Sequence, residues 1–156
     1  MCLVIDACCL ANVLNPADIF HPRFAPVFEW VFSGKGRMIY GGTKYKNELS
    51  RLSKYLGLVA ELERKGKVVR VSDVEVDALA ETLKADVGEA GFDDEHLIAI
   101  VIVSRCFIVA TNDTRAKSYL KRRAFYSCRG LRRPKIYSSE RNKDLCCDKH
   151  ISPVCR

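Results

Sequence analysis

The chain has 156 residues, 48 % of them hydrophobic, which is the length and apolar content of one ordinary domain with a real core. No apolar run is long enough to span a bilayer, and "MCLVIDACCL" lacks a charged leader and carries Asp6 inside its short apolar run; both features argue against a signal peptide or membrane anchor and predict a cytoplasmic protein. The net charge of +7 is uneven: residues 115–156 hold 13 Lys/Arg against Glu140, Asp144 and Asp148, a balance of +10 that leaves −3 for residues 1–114. A segment this basic points to a polyanionic partner, nucleic acid being the commonest, against the plainer reading of a solvated tail.

In chain order, "CLVI" at 2–5 reads as a short buried strand ending at Asp6. Residues 17–32 are apolar and aromatic, but Pro22 and Pro26 are expected to break or kink a helix there. "RMIY" at 37–40 is a second strand before Gly41-Gly42, and apolar positions 45, 49, 52, 56, 59 and 62 predict one helix that Gly66 ends. "KVVRV" at 67–71 is a third strand. Ser72 and Glu75 then make a capping box for a helix with Val76, Leu79, Ala80, Leu83 and Val87 on one face, closed by Gly88 and Gly91. "LIAIVIV" at 97–103 is apolar on every side, so periodicity leaves helix and strand equally open. "FIVAT" at 107–111 and "KIYSS" at 135–139 supply the fourth and fifth strands. Strands alternating with helices predict an α/β domain with a parallel sheet covered on both faces, whose sites form beyond the carboxyl ends of the strands.

Asp6 and Asp113 each follow an apolar strand, so both are expected at the carboxyl edge of one sheet. Each could instead cap the helix that follows, Asp113 capping "TRAKSYLKRR". Glu48 borders the buried stripe of its helix, and Asp93-Asp94 open the segment that continues as "LIAIVIV", one of the pair serving as a helix cap. Two such charges about 4 Å apart repel by roughly 4 kcal/mol at an effective dielectric of 20, a cost that a hard divalent cation removes. Mg²⁺ takes few carboxylates and keeps positions open for phosphate oxygens, which suits phosphodiester hydrolysis.

"LVIDACCLANVL", Glu48 in its helix, "DDEHLIAI" and "VATND" resemble, in order and spacing, the four acidic motifs of PIN-domain ribonucleases. The resemblance covers roughly residues 1–140 and leaves 141–156 as a basic, Cys-containing tail. It implies an α/β/α sandwich with a parallel sheet of about five strands, a helix over 94–104, and RNA cleavage with Mg²⁺ or Mn²⁺ held by Asp6, Glu48, Asp94 and Asp113. Thr111 matches the hydroxyl of the T-x-D position, Asp93 stands beside the metal ligand Asp94, and Arg115, Lys117, Lys121, Arg122, Arg123, Arg132 and Arg133 are expected to hold the RNA backbone. Many compact members are toxins, working as homodimers restrained by an antitoxin protein. An RNA-maturation or defence-linked nuclease fits the same residues, as does an inactive RNA-binding module. One departure is Cys8, where the family has Asn, Ser or Thr.

Other constellations carry less. Cys128, Cys146, Cys147, His150 and Cys155 lack the two paired spacings of a tetrahedral zinc site, and Cys2, Cys8, Cys9 and Cys106 lie in apolar surroundings as expected of reduced thiols. His96, about 200° around an ideal helix from Asp94, reads as a surface or packing residue. No phosphate-binding loop or dinucleotide-binding glycine motif is present.

Overall fold

The computed structural model describes residues 2–147 and 152–155. Five short strands, β1 (Cys2–Ile5), β2 (Arg37–Tyr40), β3 (Val68–Arg70), β4 (Ile108–Ala110) and β5 (Lys135–Tyr137), form one open, all-parallel sheet in the order β3-β2-β1-β4-β5. β1 and β4 are fully buried, as central strands of a covered sheet must be, and read in the sequence as unbroken apolar runs. The order runs outward from β1 to β3 and then jumps back to β4, so the connections diverge between β1 and β4. With right-handed crossovers, helices joining β1, β2 and β3 cover one face and those joining β3, β4 and β5 the other. The expected α/β architecture with five parallel strands is the one observed.

Helices α1 (Leu10–Leu14) and α2 (His21–Phe32) follow β1. α2 runs through both prolines, contrary to the expected break. Pro22 lies in the first turn, where an amide has no helical partner anyway; Pro26 removes only the bond to the carbonyl of exposed Pro22, which water can replace. The single helix expected after Gly42 is two, α3 (Thr43–Arg51) and α4 (Ser53–Arg64), divided at Leu52, where the backbone leaves helical geometry (φ −97°, ψ 48°). A one-residue break hardly disturbs the apolar spacing, so the pattern is blind to it. Its consequence is visible at Leu56, which the pattern puts on the buried stripe and which is exposed. α5 (Asp73–Val87) starts at Ser72, whose hydroxyl accepts from the Glu75 amide, and ends at Gly88 in the left-handed region. α6 (Glu95–Ser104) resolves the ambiguous apolar run as a helix packed against α5, α3, β1 and β2, and α7 (Thr114–Leu120) follows β4.

The segment after Tyr137 does not stand apart. A 3₁₀ turn, Glu140–Leu145, packs on α2 and β5, and Ser152 donates to the carbonyl of buried Ser104. Cys2, expected as a free thiol, is joined to Cys155 in a disulfide, because the chain end folds back under the first strand. His150 of the considered zinc set lies outside the described residues; Cys128, Cys146 and Cys147 are free. Among the described residues no helix is long and apolar enough to cross a membrane.

α3 is the least apolar of the longer helices, and acids from α5 fix its position. Asp73 accepts from the Gly42 amide (2.8 Å), while Asp77 accepts from the amide and hydroxyl of Thr43 (2.7 and 2.6 Å). These bonds satisfy the open amides at the start of α3 and set negative charge against its positive end. The approach needs glycine: Gly42 has φ +84° and ψ 147°, and a Cβ there would meet Val76 Cγ1 at 2.6 Å. Gly42→Ala is therefore expected to cost about 2–5 kcal/mol, from backbone strain and overpacking together. Urea denaturation checks it: the midpoint should fall at an unchanged slope.

Candidate functional site: a carboxylate pocket at the strand crossover

The parallel register pairs Ile5 with Ala110, so the next residues of the two central strands, Asp6 and Thr111, leave the sheet side by side. The Asp6 amide donates to the Ala110 carbonyl (2.9 Å) and the Thr111 amide to the Tyr137 carbonyl (3.1 Å), which carries the ladder one step past the strands. Thr111 Oγ1, fully buried, donates to Asp6 Oδ2 (2.7 Å) and accepts from the Asp113 amide (3.0 Å). One hydroxyl thus fixes both the Asp6 carboxylate and the turn that presents Asp113.

Asp6 and Asp113 are caps as well as pocket residues. Asp6 Oδ1 accepts from the Cys8 amide (3.2 Å) at the start of the 3₁₀ turn Ala7–Cys9. Asp113 Oδ1 accepts from the amides of Arg115 (2.7 Å) and Ala116 (3.2 Å) at the start of α7, and Oδ2 forms no hydrogen bond among the described residues. The alternatives of cap and site residue, open in the sequence, are therefore not exclusive: one oxygen does each job.

Asp94 is placed differently. It occupies the cap position of α6 but makes no capping hydrogen bond, its backbone lying outside the helix at φ −106°, ψ 19°. It is 8 % exposed, its Oδ2 is buried without a hydrogen-bond partner, and the nearest cation, Arg115 Nε, is 3.8 Å away. Burial first, then the charges of Asp113 and Asp6, push its carboxyl up to about 6. Asp93 is instead paired: Lys44 donates to its Oδ1 at 2.6 Å and to Glu95 Oε1 at 3.0 Å, and the ammonium holds the Asp93 carboxyl below the usual range. Of the doubled acids, Asp94 shares the electrostatic field of Asp6 and Asp113.

Asp6, Cys8, Glu48, Asp93, Asp94, His96, Asp113 and Arg115 all border one pocket of about 340 Å³, with Arg51 and Leu52 also on its wall. Glu48 comes in from α3, with Oε2 3.2 Å from His96 Nε2, but the two are not aligned as a hydrogen bond, since both ring nitrogens of His96 lack a partner among the described residues. His96, 3 % exposed, is a buried residue of this same pocket. The 200° separation expected from Asp94 does not apply, because Asp94 stands outside the helix. Lys44, Glu95 and Arg51 belong to the surroundings of the site without any signal in the sequence. Lys44 and Glu95 are partners on different elements, which no local spacing reveals.

The basic residues divide. Arg122 is committed to Glu89, at 2.7 and 3.0 Å, and stacks over Tyr119; Arg132 lies over the Phe107 ring. Arg115 borders the carboxylate pocket, Arg123 opens a 3₁₀ turn, and Lys117, Lys121 and Arg133 face a separate groove beside β5.

A divalent cation suits this donor set in one respect. Asp6, Asp94 and Asp113 share a pocket, and the buried Oδ2 of Asp94 has no hydrogen-bond partner among the described residues. Among the described residues, however, no three His, Cys, Asp or Glu side chains are arranged to hold one ion as they stand. The carboxylates border the pocket without converging on a point. Comparisons with protein-family models, curated proteins and solved structures each find no match to this chain.

Asp94 supplies a stability test. Its folded-state pKa, about 6, lies above the ordinary 3.8, so the folded protein binds more protons between those values and loses stability as pH rises through that window. Asp94→Asn should stabilise the metal-free protein by about 2–3 kcal/mol at pH 7, with the gain vanishing below about pH 4. Chemical denaturation across pH in the presence of a chelator measures it.

Proposed function

We propose that this protein is a metal-dependent endoribonuclease of PIN type, cleaving RNA phosphodiester bonds at the pocket between β1 and β4. The observation that carries the reading is geometric. Asp6, Asp94 and Asp113, delivered by three separate elements and joined by Glu48 from a fourth, border one pocket at the point where the sheet's connections diverge, and a buried oxygen of Asp94 has no hydrogen-bond partner among the described residues, its nearest cation, Arg115, standing 3.8 Å away. Acids gathered for stability alone would be expected to meet a cation at close range, as Asp93 meets Lys44 at 2.6 Å and Glu89 meets Arg122 at 2.7 Å, whereas Asp94 has Arg115 only at 3.8 Å. Crevices at such switch points are the usual ligand sites of open parallel sheets.

Asp6, Asp94 and Asp113, with Glu48, would hold Mg²⁺ or Mn²⁺, which supplies an activated water and neutralises charge on the scissile phosphate. The chain's own residues do the positioning. Thr111 locks the Asp6 carboxylate, and the first amides of α7 pin Asp113 Oδ1 so that Oδ2 is left for the pocket. Arg115, at the rim, is placed to meet a phosphate oxygen. As a toxin of a toxin-antitoxin pair, such a nuclease would act as a homodimer under the control of an antitoxin; an RNA-maturation or defence-linked nuclease would use the same residues.

A second reading, a PIN-like RNA-binding module without catalysis, draws support from one observation: among the described residues no three donors are arranged to hold an ion as they stand. Metal binding separates the two. A cation bound only by the folded state at 100 times its dissociation constant adds about 2.7 kcal/mol, or about 5–10 °C of melting temperature for a chain of this size. Mn²⁺ is expected to give the parent that rise, Asp6→Asn and Asp113→Asn to lose most of it, and both variants to lose cleavage of total RNA while remaining folded. A parent that shows neither a Mn²⁺-dependent rise nor cleavage leaves the binding-module reading in possession.

A further inference from the structure

Five cations face one groove on the flank of the sheet. Lys117 and Lys121 come from α7 and the residue after it, Arg133 and Lys135 from the approach to β5, and Arg141 from the 3₁₀ turn Glu140–Leu145. The groove encloses about 800 Å³, and among the described residues Asp144 is the one acid on its wall. None of the five cations is paired with a carboxylate among the described residues; Arg133 donates only to the Lys121 carbonyl, at 3.4 Å. Some basic side chains outside the groove are neutralised by carboxylates, as Arg122 is by Glu89 and Arg70 by Glu63. Like charges gathered in a concave wall with so little compensation repel one another, and an anionic ligand relieves that cost.

The geometry selects the ligand. β5 is an edge strand, and its three residues give the groove a wall of roughly 10 Å at about 3.3 Å per residue, room for a few nucleotides and too short for a turn of duplex. Ser138 and Asn142 add neutral polar groups at the end nearer the carboxyl edge, where the next strand carries Thr111 and Asp113. Among the described residues no exposed large hydrophobic side chain lines the groove, which speaks against insertion into a lipid surface. Lysine on an edge strand also deters edge-to-edge pairing, but Lys135 alone would serve that purpose. The turn that contributes Arg141 and Asn142 belongs to the segment expected from the sequence to be a tail, and it forms the outer wall.

We infer that this groove is a docking track for the phosphate backbone of single-stranded RNA flanking the bond cut at the carboxylate pocket. The identity of the strand rests on the nuclease reading; the binding itself does not. A track of this kind sets a minimum substrate length and a polarity for the strand, because only one side of the pocket is extended by it.

The test is fluorescence anisotropy with a labelled short single-stranded RNA, in EDTA, over about 50–200 mM salt. Changing Lys117, Lys135 and Arg141 together to Ala should weaken binding by about tenfold or more. It should also flatten the plot of log affinity against log salt by about 2, at roughly 0.7 for each phosphate that is no longer neutralised. Changing Lys54 and Arg64 of α4 and Lys65, the residue after it, to Ala removes the same charge far from the groove and should have a much smaller effect. Should the alanine triple fail to fold, the corresponding triple Gln variant replaces it. Equal weakening in the two sets, or an unchanged salt slope in the groove set, would overturn the inference. Groove-dependent binding that is as tight to a duplex, or tighter to phosphatidylserine vesicles, would overturn it as well. Cleavage of total RNA by the parent in Mn²⁺ is measured alongside: a groove-dependent salt slope in a parent that shows no Mn²⁺-dependent cleavage would sink the nuclease reading and leave the groove standing.

Discussion

The hydrogen bond from Thr111 to Asp6 is the small interaction on which the carboxylate pocket depends. It exists because β1 and β4 are parallel neighbours in a register that pairs Ile5 with Ala110, so that the two residues beyond that pair leave the sheet together. An antiparallel pairing would send the two chain ends to opposite edges. The same hydroxyl accepts the Asp113 amide, so the presentation of both acids follows from one buried group with its donor and acceptor capacity used. Everything nearer the surface, from Arg115 at the rim to the first turn of α7, is positioned from that point outward.

Charge is handled in two ways in this protein, and the contrast is informative. Where acids serve the fold they are matched: Asp73 and Asp77 cap α3, Asp93 takes Lys44, and Glu89 takes Arg122 and Tyr119, which hold its carboxyl at about 2. Around the strand crossover the acids are not matched, and Asp94, buried beside Asp6 and Asp113, shows the strain as an upward shift. The groove beside β5 is the mirror case, cations almost without acids. The molecule thus carries two regions of opposite sign whose charges are only weakly compensated, one at the strand crossover and one beside β5.

Lys44 illustrates how the pocket is held by residues that do not themselves face a ligand. It bridges the start of α3 to the start of α6 through Asp93 and Glu95, one helical turn before Glu48. The clasp keeps Glu48 on the side of α3 that borders the pocket, and Asp73 and Asp77 of α5 hold the first turn of the same helix from another direction. Because α3 has few apolar residues of its own, these polar interactions, rather than burial, decide where Glu48 stands.

The sequence by itself determined the five strands, the parallel α/β class and the exit of Asp6 and Asp113 from apolar runs, because these follow from local patterning: continuous apolar stretches, capping residues and glycine stops. It could not decide whether "LIAIVIV" was helix or strand, since a segment buried on all sides has no periodicity to read. It also merged α3 with α4, because apolar spacing survives a one-residue break at Leu52. Tertiary structure alone decided the rest. That Asp93 turns to Lys44 while Asp94 faces the pocket depends on where α3 packs. That His96 lies in the pocket depends on Asp94 standing outside the helix, and that Arg122 is spent on Glu89 depends on an ion pair between residues 33 apart. Cys2 likewise meets Cys155 only because the chain end returns beneath the first strand. Local spacing records which face of an element is apolar; it does not record which distant charge will be waiting there when the elements pack.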